Sequence, residues 1–195
     1  MIRLVRHTQV ARCWAGRCYG RSDAGLSREG AVRARLLAVE LAATRPDSVL
    51  HSGLKRARIL AERIAALAKV PVIEDRRWQE RDFGSWEGQR WSAIYRATGN
   101  AMDGMIDAPA SFRPGGGETT DELARRAAAA LADCPQGRVI VITHGGPIAA
   151  LIGMRRGLSA SDWPALVPPP GGHVDLEPGD LLAHEAPHQL IEVRQ

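Results

Sequence analysis

Two short apolar segments of this sequence each end in histidine, a side chain that transfers protons and attacks electrophilic centres near neutral pH. Residues 2–5 run directly into Arg6 and His7, and residues 139–143 run directly into His144. Both apolar runs are too short for confident helices and are typical of buried strands. Because ligands of open α/β sheets bind outside the carboxyl ends of the strands, we predict that the two histidines share one site.

Arg56 is a third candidate, because it lies near the start of a predicted helix. Ser52 or Gly53 is expected to begin this helix, which continues to about Leu67 and places Arg56 in its first turn. A cation is unfavourable there with respect to the helix dipole, although a surface arginine tolerates the small cost. The alternative is that Arg56 faces an anion held near the helix start, where free N–H groups already favour negative charge.

The segment 78–88 combines aromatic and acidic residues and is broken by two glycines. In one interpretation its aromatic side chains only cap the core. In the other they form the walls around a carboxylate, which suits a general acid. The residues alone leave both interpretations open.

Strand-like and helix-like segments alternate along the chain, which is typical of α/β folds. Ser27 has the residue type of a helix N-cap, and Thr119 with Glu122 forms a capping-box pattern. The predicted helices cover residues 27–43, 52–67, 90–99, 119–132 and 147–156. The predicted strands cover residues 2–5, 48–51, 70–73, 139–143, 174–176, 181–185 and 190–193. We therefore predict a three-layer α/β/α sandwich with a mostly parallel central sheet, formed by a single domain over residues 1–195.

Three irregular segments interrupt this alternation. Residues 8–26 are expected to form a long functional loop after the first strand, and residues 100–117 an excursion over the sheet that acts as a partial lid. The proline-rich residues 159–172 are predicted to be a loop. The walls of the pocket are expected to come from residues 13–23 and 86–117, which are the least regular parts of the chain.

Composition narrows the class of protein. The chain has 195 residues, a net charge of +4 and 45% hydrophobic residues. It has no apolar run long enough to span a membrane and begins directly with a strand-like segment, so we expect no signal peptide and a cytoplasmic location. The arginines are scattered among acids on predicted helical faces. This pattern favours solvated surfaces over nucleic-acid binding.

The cysteines do not indicate a disulfide scaffold. Cys13, Cys18 and Cys134 are odd in number, and their spacing matches no disulfide framework. No Cys-x-x-Cys pair is present for a zinc site. Six positions after Cys13 and Cys18 stand Tyr19 and Ala24 rather than arginine, which argues against the loop of the cysteine-based phosphatases.

One sequence near the C-terminus fits the His-Glu-x-x-His pattern of zinc proteases. It consists of His184, Glu185 and His188, with Pro187 between the last two. The zinc site requires both histidines on one face of a helix, and proline inside that span disfavours the helix by ~3 kcal/mol. We therefore predict no metal site here.

Five motifs, taken in chain order, resemble those of the histidine phosphatase superfamily, in its phosphoglycerate-mutase-like branch. They are residues 4–8, residues 52–57, Glu80 with residues 83–88, residues 115–118 and residues 143–146. Each motif is weak alone, but their order makes the resemblance specific over roughly residues 2–155. The resemblance implies that His7 is the nucleophile and that Glu80 is the proton donor.

The same resemblance implies a phosphate pocket formed by Arg6, Arg56 and His144, with a further contact from the Gly145 amide. A phosphoryl group in its transition state carries negative charge on three equatorial oxygens. Two guanidiniums match those oxygens with forked donors, which a lysine cannot do. His144 is expected to stay protonated beside the phosphate and to donate to it. No metal or other cofactor is required, because the arginines supply the positive charge, and this cluster of cations is expected to attract sulfate, phosphate or chloride.

Within the superfamily, residues 6–8 together with residues 18–23 look most like the α-ribazole-phosphate phosphatases of cobalamin synthesis. This resemblance implies Thr8, Tyr19 and Arg21 as further substrate-binding residues.

Four residues depart from the family pattern. Thr8 stands where glycine is usual, and Gly53 replaces a proline. Val10 and Cys13 stand where many members carry a hydroxyl group and an asparagine near the phosphate. The loss of two polar groups from the pocket weakens the inference about the substrate, whereas the core chemistry is unaffected.

The sequence therefore predicts a phosphomonoester hydrolase that acts on a small molecule through a phosphohistidine. A mutase of the phosphoglycerate mutase type is one alternative, although 195 residues leave little chain to seal the pocket against water. A non-catalytic relative that binds a phosphorylated ligand is another. The sequence is also compatible with a homodimer.

Overall fold

The computed structural model of the chain describes residues 1–176. The predicted strands at 181–185 and 190–193, and the His184, Glu185 and His188 pattern, lie outside the described residues. Within residues 1–176 there is neither a helix long and apolar enough to cross a membrane nor a group of three His, Cys, Asp or Glu side chains that could hold a metal ion.

Five strands form one central sheet. They are β1 (Ile2–Arg6), β2 (Ser48–His51), β3 (Val72–Glu74), β4 (Val139–Thr143) and β5 (His173–Leu176). Their order is β3-β2-β4-β1-β5, and all neighbours are parallel except β5, which runs antiparallel to β1. The prediction of a mostly parallel sheet is confirmed.

Helices cover both faces of this sheet. They are α1 (Arg28–Ala42), α2 (Lys55–Ala68), α3 (Trp91–Thr98), α4 (Gly104–Asp107), α5 (Thr120–Ala132) and α6 (Gly145–Arg155). The predicted caps are present: the Gly30 N–H donates to the Ser27 hydroxyl, and Thr119 and Glu122 form a reciprocal capping box before α5.

Successive side chains of each strand point to opposite faces of the sheet, and this divides the core into two layers. One apolar cluster contains Leu4 and Val141 together with side chains of α5 and α6. The other contains Val5 and Ile142 together with side chains of α1 and α2. Because successive strand residues point to opposite faces, the predicted three-layer sandwich follows from the buried strands, and it is confirmed.

Some boundaries differ from the prediction. Helix α2 begins at Lys55 rather than at Ser52 or Gly53, because Gly53 has a φ of +83°, which interrupts helical geometry. Strand β3 begins two residues later and ends one residue later than predicted. The 159–172 segment, predicted as a loop, contains a 3-10 helix at Ala160–Leu166.

Candidate active site

The sheet itself brings His7 and His144 together. Strands β1 and β4 are parallel neighbours in which Arg6 pairs with Thr143, so each histidine is the next residue along its strand. The His7 N–H donates to the Thr143 carbonyl over 3.0 Å, and the two ring centroids lie 5.1 Å apart. This separation is close to the spacing of adjacent strands, about 4.8 Å. The ladder of the sheet therefore sets the distance between the imidazoles.

His7 is held in a single tautomer. Its side chain is buried, and Nδ1 lies 2.7 Å from the Thr8 carbonyl oxygen. A carbonyl only accepts hydrogen bonds, so Nδ1 carries the proton and Nε2 keeps its lone pair. Burial, followed by the charges of Arg56 and Arg6, lowers the pKa of His7 to about 3. The ring is therefore neutral at pH 7 and nucleophilic at Nε2, and Thr8 supplies the acceptor that the sequence did not identify.

Arg56 is fully buried in the first turn of α2. Its Nη1 donates to the Ser22 carbonyl over 2.7 Å, and its Nη2 donates to the Gly20 carbonyl over 2.6 Å. The guanidinium also lies over the ring of Tyr19, 5.4 Å from its centroid. One side of Arg56 therefore holds the irregular loop after β1, while its Nε is buried without a hydrogen-bond partner.

Arg6, like Arg56, uses part of its guanidinium to bind the protein and has an Nε without a partner. Its Nη1 donates to the Pro168 carbonyl over 2.7 Å, and its Nε is buried without a partner. A Cβ placed on Gly145 would lie 3.6 Å from the Arg6 guanidinium, so this side chain lies beside the start of α6. Helix N-termini favour anions.

His144 is completely buried, and its environment disfavours the charged form of the ring. Its Nε2 lies 2.8 Å from the Ser52 hydroxyl, and its Nδ1 has no partner. Burial, followed by the charges of Arg56 and His7, lowers the pKa of His144 well below its ordinary value. The charged form is therefore disfavoured in this structure, because a third cation is costly to desolvate beside two guanidiniums. Protonation of His144 beside a bound phosphate stays a prediction.

Ser52 is a site residue that the sequence analysis did not single out. The Leu54 N–H donates to its hydroxyl oxygen over 3.4 Å. The hydroxyl can then donate its proton to His144 Nε2. A neutral imidazole carries one N–H, which therefore lies on Nδ1. Ser52 follows directly after β2, and its position at the same sheet edge as the histidines was the available signal.

The Glu80 side chain lies next to the first turn of α6 and lines the cavity together with His7. Its Oε2 accepts from the Gly146 N–H over 3.1 Å, and its Oε1 accepts from the Arg81 N–H over 2.9 Å. Arg126 reaches the backbone on either side of this point, because its guanidinium donates to the Gln79 carbonyl over 2.9 Å and to the Glu80 carbonyl over 3.4 Å. The carboxylate is therefore held by two backbone N–H donors, and the half-buried Arg126 holds the backbone of residues 79–80.

A cavity of about 490 Å³ opens beside His7. As predicted, residues 13–23 and 86–117 contribute walls, among them Tyr19 and Met102. A further wall comes from Ala160–Leu166, with Trp163 in the lining, and the sequence did not predict it. The proline-rich composition of residues 159–172 indicated a loop, but it did not indicate that this loop lies against the cavity.

The structure does not bring every predicted substrate-binding or phosphate-binding residue to the lining of this cavity. Arg6 and Tyr19 line it, whereas Arg56, His144, Gly145, Thr8 and Arg21 do not. The Thr8 hydroxyl donates to the Gly30 carbonyl over 2.9 Å, and Arg21 is directed to Asp82, with 3.2 Å between Nη1 and Oδ2. Thr8 therefore contributes its backbone carbonyl to the site, and Arg21 pairs with an acid.

Replacing Gly146 with alanine is expected to displace Glu80. A Cβ at this position would lie 2.2 Å from Glu80 Oε1, while the helix itself tolerates alanine. We expect kcat for an alkyl phosphate to fall by about 10²-fold, the contribution of a general acid. 4-Nitrophenyl phosphate, whose leaving group needs no proton, should be affected less than tenfold. Equal losses for both esters would contradict this role of Glu80.

Neutral His7 should make stability depend on pH. Between about pH 3 and its ordinary pKa of 6.5, the folded chain leaves His7 unprotonated while the unfolded chain protonates it. The stabilisation is therefore complete above about pH 6.5 and is lost as the pH falls toward 3, by about 1.4 kcal/mol per pH unit for each such histidine. Urea unfolding between about pH 5 and pH 6 should show a shallower slope in His7→Asn by that amount. An unchanged slope would show that His7 titrates normally.

Comparisons with known proteins show the family of this chain. Residues 2–180 match the model of the histidine phosphatase superfamily (branch 1). A metal-independent phosphoserine phosphatase of Arabidopsis thaliana is 36% identical over 155 residues, which are 76% of this chain and 65% of that protein, so this chain spans just under two thirds of that relative. A glucosyl-3-phosphoglycerate phosphatase of Mycobacterium tuberculosis is 29% identical over 202 residues, covering 97% of this chain and 88% of that protein.

Among solved structures, the α-ribazole phosphatase from Shigella flexneri matches with a TM-score of 0.78 over 91% of each chain, at 21% identity. This last likeness concerns the fold alone. The family model covers most of the chain, and its match confirms the resemblance carried by the five motifs. The chain belongs to the histidine phosphatase superfamily.

Proposed function

We propose that this protein hydrolyses phosphomonoesters through a covalent phosphohistidine on His7. The observation that carries the proposal is the pairing of a neutral nucleophile with unsatisfied donors. His7 presents a free Nε2, and around it Arg6 Nε, Arg56 Nε and His144 Nδ1 are buried without partners. Buried donors without partners are costly, and a phosphoryl group would satisfy all three.

In the first step, His7 Nε2 forms a bond to phosphorus, and the bond from phosphorus to the alcohol oxygen breaks. Protonated Glu80 gives its proton to the leaving oxygen. Arg6 and Arg56 stabilise the charge on the equatorial oxygens, and His144 donates from Nδ1. Ser52 supports this donation by occupying the other nitrogen of His144.

In the second step, water attacks phosphorus and the bond to His7 Nε2 breaks. Glu80, now a carboxylate, takes the proton of the water, and inorganic phosphate leaves. Splitting one displacement into two lowers each barrier. The scheme draws its positive charge from two guanidiniums, so we propose that activity is independent of metal ions and is unchanged by a chelator.

The intermediate can be trapped directly. The wild-type chain is mixed with ³²P-labelled 4-nitrophenyl phosphate, quenched in alkali, and digested for mass spectrometry, since phosphohistidine is labile in acid. We expect label on His7 and steady release of inorganic phosphate. Absence of label, or label at another residue, would overturn the proposal. Transfer to an added alcohol in place of phosphate release would favour the mutase alternative.

For the substrate, we propose α-ribazole 5′-phosphate and a cytoplasmic role in cobalamin synthesis. Residues 6–8 and 18–23 carry this inference, and the fold of the Shigella flexneri enzyme is compatible with it. The names of closer relatives point to other phosphate esters. A panel of α-ribazole 5′-phosphate, O-phosphoserine and glucosyl-3-phosphoglycerate tests the proposal. A kcat/KM at least tenfold higher for either of the last two would reject it.

A further inference from the structure

The cavity beside His7 has a chemically divided lining. Arg6, His7 and Glu80 belong to the phosphoryl-transfer machinery. Away from them, the lining is dominated by apolar and aromatic side chains. These include Phe83, Trp91, Met102, Met105, Ile106 and Trp163. The part of a substrate that lies beyond its phosphate therefore faces mostly apolar surface.

Two arginines of this lining are already committed to the protein backbone. Arg17 donates from Nε to the Cys13 carbonyl over 3.0 Å and from Nη1 to the Gly88 carbonyl over 2.8 Å. Arg81 donates from Nη1 to the Glu118 carbonyl over 3.3 Å and to the Thr120 hydroxyl over 3.0 Å. These guanidiniums hold the loops that form the cavity, which limits what they can offer a substrate.

The remaining charged group of the lining disfavours acidic substrates. Asp103 lies in the lining and is exposed. Its carboxylate would repel the carboxylate of a phosphoglycerate or of phosphoserine. A charged alcohol part would also lose hydration against the apolar walls, which is unfavourable.

The apolar walls are fixed in place on both sides. The Thr120 hydroxyl donates to the Met105 carbonyl over 2.6 Å, which ties the α4 region to the start of α5. On the other side, Trp163 Nε1 donates to the Leu158 carbonyl over 3.1 Å. Trp163 also packs directly on α6, where a Cβ at Gly153 would lie 2.2 Å from its indole nitrogen. A preformed apolar surface binds apolar ligands without an ordering cost.

We propose that the preferred substrates are phosphomonoesters whose alcohol part is apolar or aromatic, and that this part packs against Trp163, Trp91 and Met102. The proposal rests on the phosphatase function proposed above and specifies its substrate class. A ribose phosphate that bears an aromatic base belongs to this class, whereas phosphoserine and the phosphoglycerates do not.

The test uses esters of primary alcohols, so that differences in leaving group stay small. They are 3-phenylpropyl phosphate, glycerol 3-phosphate and O-phosphoserine. We expect the wild-type chain to show a kcat/KM at least about tenfold higher for 3-phenylpropyl phosphate, a typical discrimination by an apolar pocket. Glycerol 3-phosphate reports on the phosphate machinery alone.

Variants of the wall provide the second arm. Trp163→Ala should lower kcat/KM for 3-phenylpropyl phosphate by about tenfold and for glycerol 3-phosphate by less than about threefold, whereas Trp163→Phe should keep the preference. Trp91→Ala should show the same selective loss as Trp163→Ala. Tyr95→Ala is its matched control, because Tyr95 lies one turn further along α3, is 59% exposed and does not line the cavity. The control should leave all three esters unchanged.

Faster hydrolysis of O-phosphoserine or glycerol 3-phosphate by the wild-type chain would overturn the proposal, as would an equal loss for all esters in a folded Trp163→Ala. These outcomes differ from failure of the phosphatase function itself. If label appears on His7 while charged esters are preferred, only the substrate class is wrong. If no ester labels His7, the phosphatase function is wrong, and the proposal is rejected with it.

Discussion

Replacing His7 with asparagine is expected to lower kcat/KM for every phosphomonoester by at least about 10³-fold, the scale on which loss of a covalent nucleophile acts. Asparagine keeps a polar side chain in the buried position but has no nitrogen lone pair that can attack phosphorus. Phosphate release measured under single-turnover conditions tests this expectation. The phosphoprotein trapped in alkali should disappear with the activity.

His51 provides the matched control for this experiment. Like His7, it is a buried histidine at the end of a parallel strand, but it does not line the cavity. Its Nδ1 accepts from the Gly53 N–H over 2.9 Å, a role that an asparagine oxygen can take over. We expect His51→Asn to keep kcat/KM within about fivefold of wild type, near the effect of an ordinary substitution. Activity of His7→Asn within tenfold of wild type would remove His7 as the nucleophile.

Replacing Arg56 with lysine should damage both activity and stability. The guanidinium donates to two carbonyls of the loop after β1, and its buried Nε has no partner and is proposed to bind the phosphoryl group. A lysine ammonium cannot reproduce this fork, so buried carbonyls lose their donors. We expect kcat/KM to fall by about 10²-fold and the free energy of unfolding to fall by about 2–4 kcal/mol. Kinetics and urea unfolding measure the two effects separately.

Arg58→Lys is the control, because Arg58 is on the same helix but exposed. Its Nε lies 3.8 Å from Glu62 in a solvent-exposed i,i+4 pair, an arrangement that contributes less than about 0.5 kcal/mol. The control should match wild type in both measurements. If Arg56→Lys behaved like Arg58→Lys in both measurements, the proposed place of Arg56 in the phosphate pocket would be wrong.

The sequence predicts those features that follow from local patterns and from the geometry of parallel sheets. The capping box of Thr119 and Glu122 is a local pattern, and the structure contains it. The approach of His7 to His144 follows from two apolar runs that end in histidine, since parallel strands present their carboxyl ends at one edge. The catalytic roles of these residues stay predictions that the experiments above test.

Features that depend on contacts between distant segments are not encoded in local patterns. Ser52 and His144 are 92 residues apart, and nothing in either motif indicates their hydrogen bond. The position of Trp163 against α6 depends on Gly153, which leaves room for the indole. The start of α2 was predicted too early, because the left-handed conformation of Gly53 is imposed by the turn that follows β2.

The distance between the two imidazoles is set by the backbone pairing of strands β1 and β4. Arg6 and Thr143 are paired partners in the ladder, and the ring centroids of the next residues lie 5.1 Å apart. Exchanging the wall segments therefore leaves this separation unaltered. A library that randomises positions on Ala160–Leu166 should accordingly yield many members with altered selectivity and intact chemistry, which makes the chain a suitable starting point for directed evolution of new phosphatases.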